Sequence, residues 1–336
     1  MKERKTAAAK RREALVRQKI EKRSAKHHTD QEDDYGSDWF LDKQLLALGI
    51  AGGYRYLPIC DSTNNEMKKF AQSIVLRESQ RENSIVKPPS FDDGFDEWLH
   101  QFLAPRKLPY VIVANEQTAG RGRQSNTWWT GQDALAFSML LDAKQHGLNP
   151  RNVAYLSLGI GFATMQALRC TVEETLNESK NDHSDNTATM PKIEIRWPND
   201  VYVNDRKISG ILIEVPNMRH IVIGVGINTN NSATDAPEEI RDKIITLGDV
   251  LGRKIDQDRL IFYLCREIMD VLKYFPSHLS ELLEKVEKNL YQVDKLVNIS
   301  QENEQISGKC LGLNPDGSLR VLTETGEKAV ISGVVI

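Results

Sequence analysis

Apolar residues in this chain come in short runs divided by polar segments, and the spacing within the runs switches between a period near two and one near 3.6. The runs at 54–59 (YRYLPI), 110–114 (YVIVA), 134–141 (ALAFSMLL), 193–197 (IEIRW), 208–215 (ISGILIEV) and 221–227 (IVIGVGI) predict strands. Helical periodicity marks 66–76 and, most strongly, 151–175, where Val153, Leu156, Ile160, Ala163 and Ala167 share one face. One or two further helices are expected across 257–288. Residues 216–220 read as a hairpin connection. Pro198 cannot extend a central strand, so the strand before it should stop at Trp197 and leave Asn199 and Asp200 in a turn. From about residue 293, short runs divided by Asn314-Pro315-Asp316-Gly317 and Thr325-Gly326 give the pattern of a small all-β unit, too small to be stable without docking. Residues 78–108, with Pro88, Pro89 and Pro105, read as an exposed excursion with a short helix at 95–103, and 177–189 as a polar surface insertion.

A length of 336 residues favours one large and one small domain, and the 40% hydrophobic and 27% charged content is that of a soluble globular protein. No apolar run is long enough to cross a membrane, and the N-terminus lacks the apolar core of a secretory signal. Cys60, Cys170, Cys265 and Cys310 are far apart with no CxxC pair, which favours free thiols in a reducing compartment and disfavours zinc. Net charge is −3, yet residues 1–28 hold eleven Lys/Arg against Glu3, Glu13 and Glu21, so the rest is strongly acidic. An acidic body argues against nucleic acid as the main partner. Residues 1–37, basic and then acidic, read as a solvated helix or disordered tail. A cytoplasmic location is expected, with organellar targeting by the basic N-terminus left open.

Four segments carry candidate chemistry, each at a strand end or helix start, where α/β proteins place their sites. Ser62, Thr63 and Asn64 are N-cap residues before a helix; they suit either capping or a polar ligand. Residues 116–123 (EQTAGRGR) follow a strand. Gly120 and Gly122 let backbone approach a ligand, while Arg121 and Arg123 supply planar donor forks for carboxylate or phosphate. A nucleic-acid contact or a solvated turn would use the same loop. In 196–210, Asn199 and Asp200 could form an Asx-turn, or Asp200 could hold a cation or an amine; Lys207, three residues before Gly210, is either solvated or reaches an anion. Residues 224–230 (GVGINTN) form the fourth segment. P-loop, Rossmann, HExxH, GxSxG and kinase signatures are absent from the sequence.

In order, STN at 62–64, QTAGRGR at 117–123 with Trp128 after it, RWPND at 196–200, DRKISGIL at 205–212 and GVGIN at 224–228 resemble the biotin protein ligases, which attach biotin to carboxylases. The resemblance is strong over about 54–230 and weaker in the C-terminal β unit. It implies an α+β (α/β) fold: a mixed β-sheet flanked by helices, like class II aminoacyl-tRNA synthetase catalytic domains, over 38–290, and a small SH3-like β-barrel over 291–336. It implies ATP, Mg2+ and biotin as small molecules, with the metal's protein ligands unspecified. The partner it implies is a biotin carboxyl carrier domain of acetyl-CoA or related carboxylases, and a homodimer is compatible with it. Lipoate or octanoate ligases of the same fold are the alternative, and a non-catalytic adenylate- or nucleic-acid-binding protein is the alternative of another class.

By the same resemblance, Ser62, Thr63, Asn64, Gln117, Gly120 and Gly210 belong to the biotin pocket, and Arg121, Arg123 and Lys207 to biotin and adenylate together. Gly122, Trp128, Asn199, Asp200 and Asn228 belong to the ATP or adenylate side. Lys207, Arg121, Arg123 and Asp200 are the expected catalytic set. Two departures stand out. Bacterial members commonly read GRGRxGRxW, whereas here Ser125 and Asn126 replace the second glycine and third arginine; asparagine at the latter position is frequent in eukaryotic members, which points to a eukaryotic-type enzyme. The usual lysine of KWPND is Arg196. Residues 1–37 are too short and polar for a helix-turn-helix domain, so DNA binding is not expected.

Overall fold

The computed structural model describes residues 41, 44–83, 108–149, 153–181, 189–301 and 304–335. The expected tail at 1–37 and helix at 95–103 lie outside these residues. The first part of the chain runs β1 (Gly53–Cys60), α1 (Thr63–Asn83), β2 (Tyr110–Gln117), β3 (Leu135–Asp142), α2 (Ala154–Asn181), β4 (Ile193–Arg196), β5 (Asp200–Val203), β6 (Arg206–Glu214) and β7 (His220–Ile227). Helices α3 (Glu238–Arg241), α4 (Leu247–Leu251), α5 (Gln257–Leu272) and α6 (Leu279–Glu287) follow. The chain then continues through β8 (Leu296–Gln301), β9 (Glu304–Leu313), β10 (Leu319–Thr323), β11 (Gly326–Val330) and β12 (Val334–Val335).

Strands β1 to β7 form a seven-stranded mixed sheet in the order β1-β2-β3-β7-β6-β5-β4. The β1–β2 pair is parallel and the other pairs antiparallel. Strand alternation explains how one sheet serves both a core and a site. Leu135, Phe137, Met139 and Leu141 of β3, with Ile221, Ile223, Val225 and Ile227 of β7, enter the main core beneath α2, α5 and α6. The intervening positions face the other way. There Leu140 and Val222 pack with Ile112 against Met67 and Ala71 of α1. Farther along the same two strands the residues on that face are Ala136, Ser138, Gly224 and Gly226, too small to fill the space.

The C-terminal strands form a five-stranded antiparallel sheet in the order β11-β10-β9-β8-β12. Its apolar face, including Val297, Ile299, Cys310, Leu319 and Val321, is continuous with the main core. This supplies the docking that so small a unit needs. The Leu313 amide donates to Glu287 Oε2 at 2.5 Å, and Trp197 Nε1 donates to the Gly317 carbonyl at 3.2 Å. All four cysteines are free thiols.

Helix α1 runs on to Asn83, into the segment read as an exposed excursion, and the short helices α3 and α4 are not among the elements expected from sequence. Two further elements also differ from the sequence reading. Helix α2 runs on to Asn181, into the segment expected to be an insertion. Its last polar turns are held by α5: the guanidinium of buried Arg259 pairs with Glu178 and Glu174, and the Tyr263 hydroxyl donates to Glu174. Asp200 is not in the turn but opens β5; Trp197, Pro198 and Asn199 make the connection, and a four-residue strand is too short to show a periodicity.

Candidate functional site

The small residues on the open face of β3 and β7 floor a cavity of about 330 Å³. Ser62, Thr63, Asn64, Gln117, Arg121, Gly122, Arg123, Trp128, Asn199, Asp200, Lys207 and Gly210 all line it. Gly120 and Asn228 are not on its wall. The Gly120 carbonyl accepts from the Trp128 amide at 3.0 Å, which closes the loop neck. Asn228 is buried, and Asn231 Nδ2 donates to its Oδ1 at 3.3 Å.

One end of the cavity is lined by a tightly hydrogen-bonded set of neutral side chains, backed by the Glu214 ion pairs with Lys68 and Arg121. Ser62 caps α1, its carbonyl accepting from the Glu66 amide at 3.0 Å. Gln117, at the end of β2, accepts from the Thr63 amide at 2.9 Å, and its amide lies 3.3 Å from Thr130 Oγ1. Buried Ser138 Oγ lies 2.8 Å from Thr63 Oγ1 and 2.6 Å from Asn64 Oδ1. Asn64 Nδ2 donates to Glu214 Oε2 at 2.8 Å. The Asn64 carboxamide occupies the space a Cβ on Gly224 would take.

Between the ends lies Trp128. Gly210 and Gly226 are cross-strand partners. A Cβ on Gly226 would overlap the Trp128 indole, and one on Gly210 would meet it at 3.2 Å. The ring therefore lies directly on a glycine floor.

The other end is charged. Lys207 Nζ pairs with Asp200 Oδ1 at 2.8 Å and stands 5.7 Å from the Trp128 ring centroid. Arg123 Nη1 donates to Asn199 Oδ1 at 3.2 Å, and Asn199 Nδ2 in turn donates to the Ile211 carbonyl at 2.9 Å. Burial lowers the Arg123 pKa, with the Asp200 charge opposing that shift in part. The two loop arginines are thus divided. Arg121 reaches back toward α1, donating at 2.8 Å both to Asn65 Oδ1 and to Glu214 Oε2.

Glu214 was not singled out from sequence, although alternation along β6 from Gly210 through Leu212 points to it. Burial pushes its carboxyl pKa up, but hydrogen bonds from Arg121, Lys68 and Asn64 outweigh that and hold it below its ordinary value. Arg196, Tyr202 and Lys243 also line the cavity, as do Gly333, Val334 and Val335 of the C-terminal sheet. No local pattern announces that last contact, because it joins segments more than a hundred residues apart.

Five cationic side chains (Arg121, Arg123, Arg196, Lys207 and Lys243) face one carboxylate, Asp200, around the cavity, so it favours an anion. Among the described residues no group of three or more His, Cys, Asp or Glu could hold a metal. No helix among the described residues is long and apolar enough to cross a membrane.

The model of the Biotin/lipoate A/B protein ligase family matches residues 97–228, and that of the Biotin protein ligase C terminal domain matches residues 294–336. The chain is 28% identical over 229 residues to the Bifunctional ligase/repressor BirA of Bacillus subtilis, covering 66% of this chain and 64% of that protein. It thus spans slightly less than two thirds of such bacterial relatives. It is 26% identical over 202 residues to the Biotin--protein ligase of Schizosaccharomyces pombe, covering 55% of this chain and 29% of that one. The solved structure of the biotin protein ligase from Aquifex aeolicus in complex with biotin and ATP superposes with a TM-score of 0.60 at 26% identity, over 84% of this chain and 97% of that one.

Proposed function

The chain belongs to the biotin protein ligase family, and we propose that it joins biotin to a lysine of a biotin carboxyl carrier domain, through biotinyl-5′-AMP, at the expense of ATP. The observation that supports this most directly is the division of one cavity into a neutral hydrogen-bonding end and a cationic end, with Trp128 between them. Biotin has the matching polarity: a neutral ureido ring at one extremity and a carboxylate at the other.

In the first half-reaction a biotin carboxylate oxygen attacks the α-phosphorus of ATP, and the bond to the bridging oxygen breaks to release pyrophosphate. Two anions must meet, so fixed positive charge where they meet lowers the barrier. Lys207 and Arg123 supply it, and Arg121 exchanges the Glu214 carboxylate for the ligand's. In the second half-reaction a carrier lysine attacks the carbonyl of the mixed anhydride and AMP leaves. The attacking amine must lose a proton, and Asp200, beside Lys207, is the group positioned to take it or to orient the amine. Ser62, Thr63, Asn64 and Gln117 hold the ureido ring. Gly210 leaves room for Trp128 and Lys207 to pack beside the biotin, and Gly120 and Gly122 let the loop close over the adenylate. Mg2+, if bound with the triphosphate, would neutralise part of its charge, with Asp200 the cavity carboxylate that could hold it.

Incubation with ATP, magnesium and a carrier domain should give a biotin-sized mass gain on the carrier when biotin is supplied. A gain with lipoate and none with biotin would transfer the chain to the lipoate branch of the fold.

A further inference from the structure

The C-terminal sheet reaches the cavity through its shortest strand. Among the described residues, β12 is joined to its own sheet by two pairs, Val334 opposite Ser300 and Val335 opposite Ile299. Two residue pairs are a weak ladder for a segment that forms a cavity wall. A second fastening comes from the catalytic sheet. Arg196, at the end of β4, donates through Nη2 to the Val335 carbonyl at 3.1 Å and through Nη1 to the Tyr202 hydroxyl. Its guanidinium carbon lies 4.7 Å from the Tyr202 ring centroid. Tyr202 is in turn braced by Tyr291, centroid to centroid 5.5 Å, from the segment leading into the C-terminal sheet.

This fastening lies at the charged end of the cavity. Arg196 is the cross-strand partner of Asp200, and Tyr202 that of Lys207. Whatever Asp200 and Lys207 act on is therefore flanked by Gly333, Val334 and Val335. Arginine is needed for the arrangement. Its planar fork serves two acceptors at fixed angles while its face rests on an aromatic ring; a lysine ammonium is a point charge on a flexible stem and cannot reproduce that geometry. We infer that Arg196 is a positioning residue, which pins β12 as the wall of the nucleotide end of the cavity and so sets affinity for the triphosphate substrate without touching the biotin end.

This rests on the reading of the cavity as a biotin and ATP site. The test compares Arg196→Lys and Tyr202→Phe with the wild-type chain. Three quantities are measured: KM for ATP in biotin-dependent pyrophosphate exchange, biotin affinity by calorimetry without nucleotide, and deuterium uptake of residues 331–335. Loss of one arm of the fork should raise KM for ATP roughly tenfold in Arg196→Lys, and less in Tyr202→Phe. Biotin affinity should stay within about twofold, and amides at 331–335 should exchange faster. An unchanged KM for ATP, an equal loss of biotin affinity, or unchanged exchange at 331–335 would overturn the inference. If the wild-type chain makes no biotinyl-5′-AMP at all, the functional reading fails instead, while the deuterium comparison still tests the fastening.

Discussion

The two ends of the cavity are cut from the same sheet but hold their polar groups differently. At the α1 end, Thr63, Asn64, Gln117 and Ser138 satisfy one another through neutral hydrogen bonds on buried, rigid elements. At the β5–β6 end, Lys207 and Asp200 form an ion pair that is partly open to water, each side chain between a fifth and a third exposed. A neutral network is costly to break and cheap to keep, which suits shape recognition of a neutral ring. A half-exposed ion pair can be opened by a competing anion, which suits a site where charge must be handed over. Glu214 is the exception that joins the two ends, since it anchors Asn64 of the neutral network and holds Arg121 of the charged loop.

The sharpest way to separate the ends is Lys207→Ala. It should lower the rate of adenylate formation by about 10²–10³-fold, as loss of a transition-state charge contact does. Biotin binding without nucleotide should change far less. Equal losses in both would mean that the ends are not separable. At the other end, Asn64→Ala removes one of the two partners of buried Ser138 and the amide that donates to Glu214, and should weaken biotin affinity by about 5- to 100-fold, the cost of buried hydrogen bonds left unmade. Transfer from preformed biotinyl-5′-AMP at saturation should stay near wild type; a collapse of that step would place Asn64 in the chemistry.

Gly226→Ala tests the middle. The added Cβ would displace the Trp128 indole, so both biotin and ATP constants should worsen while the fold persists, with Trp fluorescence reporting the shift. A variant with wild-type kinetics would show that the ring is free to move aside.

The smallest effect concerns pH. The folded Glu214 pKa is depressed, so its carboxylate stabilises the fold above the unfolded value of about 4.3, and that contribution is lost as pH falls through the lower folded pKa. Glu214→Gln should therefore melt below wild type near neutrality, and the gap should narrow as pH falls below about 4.3 and close once pH is below the lowered folded pKa. A gap that persists in acid would mean the carboxylate charge is not what stabilises.

How much of this was legible in the sequence follows from where each signal resides. Strand alternation and the motif order at 62–64, 117–123, 196–200, 205–212 and 224–228 point to the sheet and to most of the cavity wall, because each motif ends or begins a regular element. The double role of Glu214 was hidden, since an acid at a strand end is ordinarily solvated and only the fold brings Arg121, Lys68 and Asn64 to it. Arg196 stood out as a departure from KWPND, but its second acceptor, the Val335 carbonyl, is a backbone group that no side-chain pattern can announce. The strand at Asp200–Val203 was masked by the turn grammar of Pro198, Asn199 and Asp200.

The most direct test of the two-ended cavity as a site of biotin activation is exchange of labelled pyrophosphate into ATP, measured without any carrier protein. Exchange that requires biotin and is lost in Lys207→Ala is the expected result. Exchange that runs with lipoate but not with biotin, or that is absent with both in the folded wild-type protein, would contradict it.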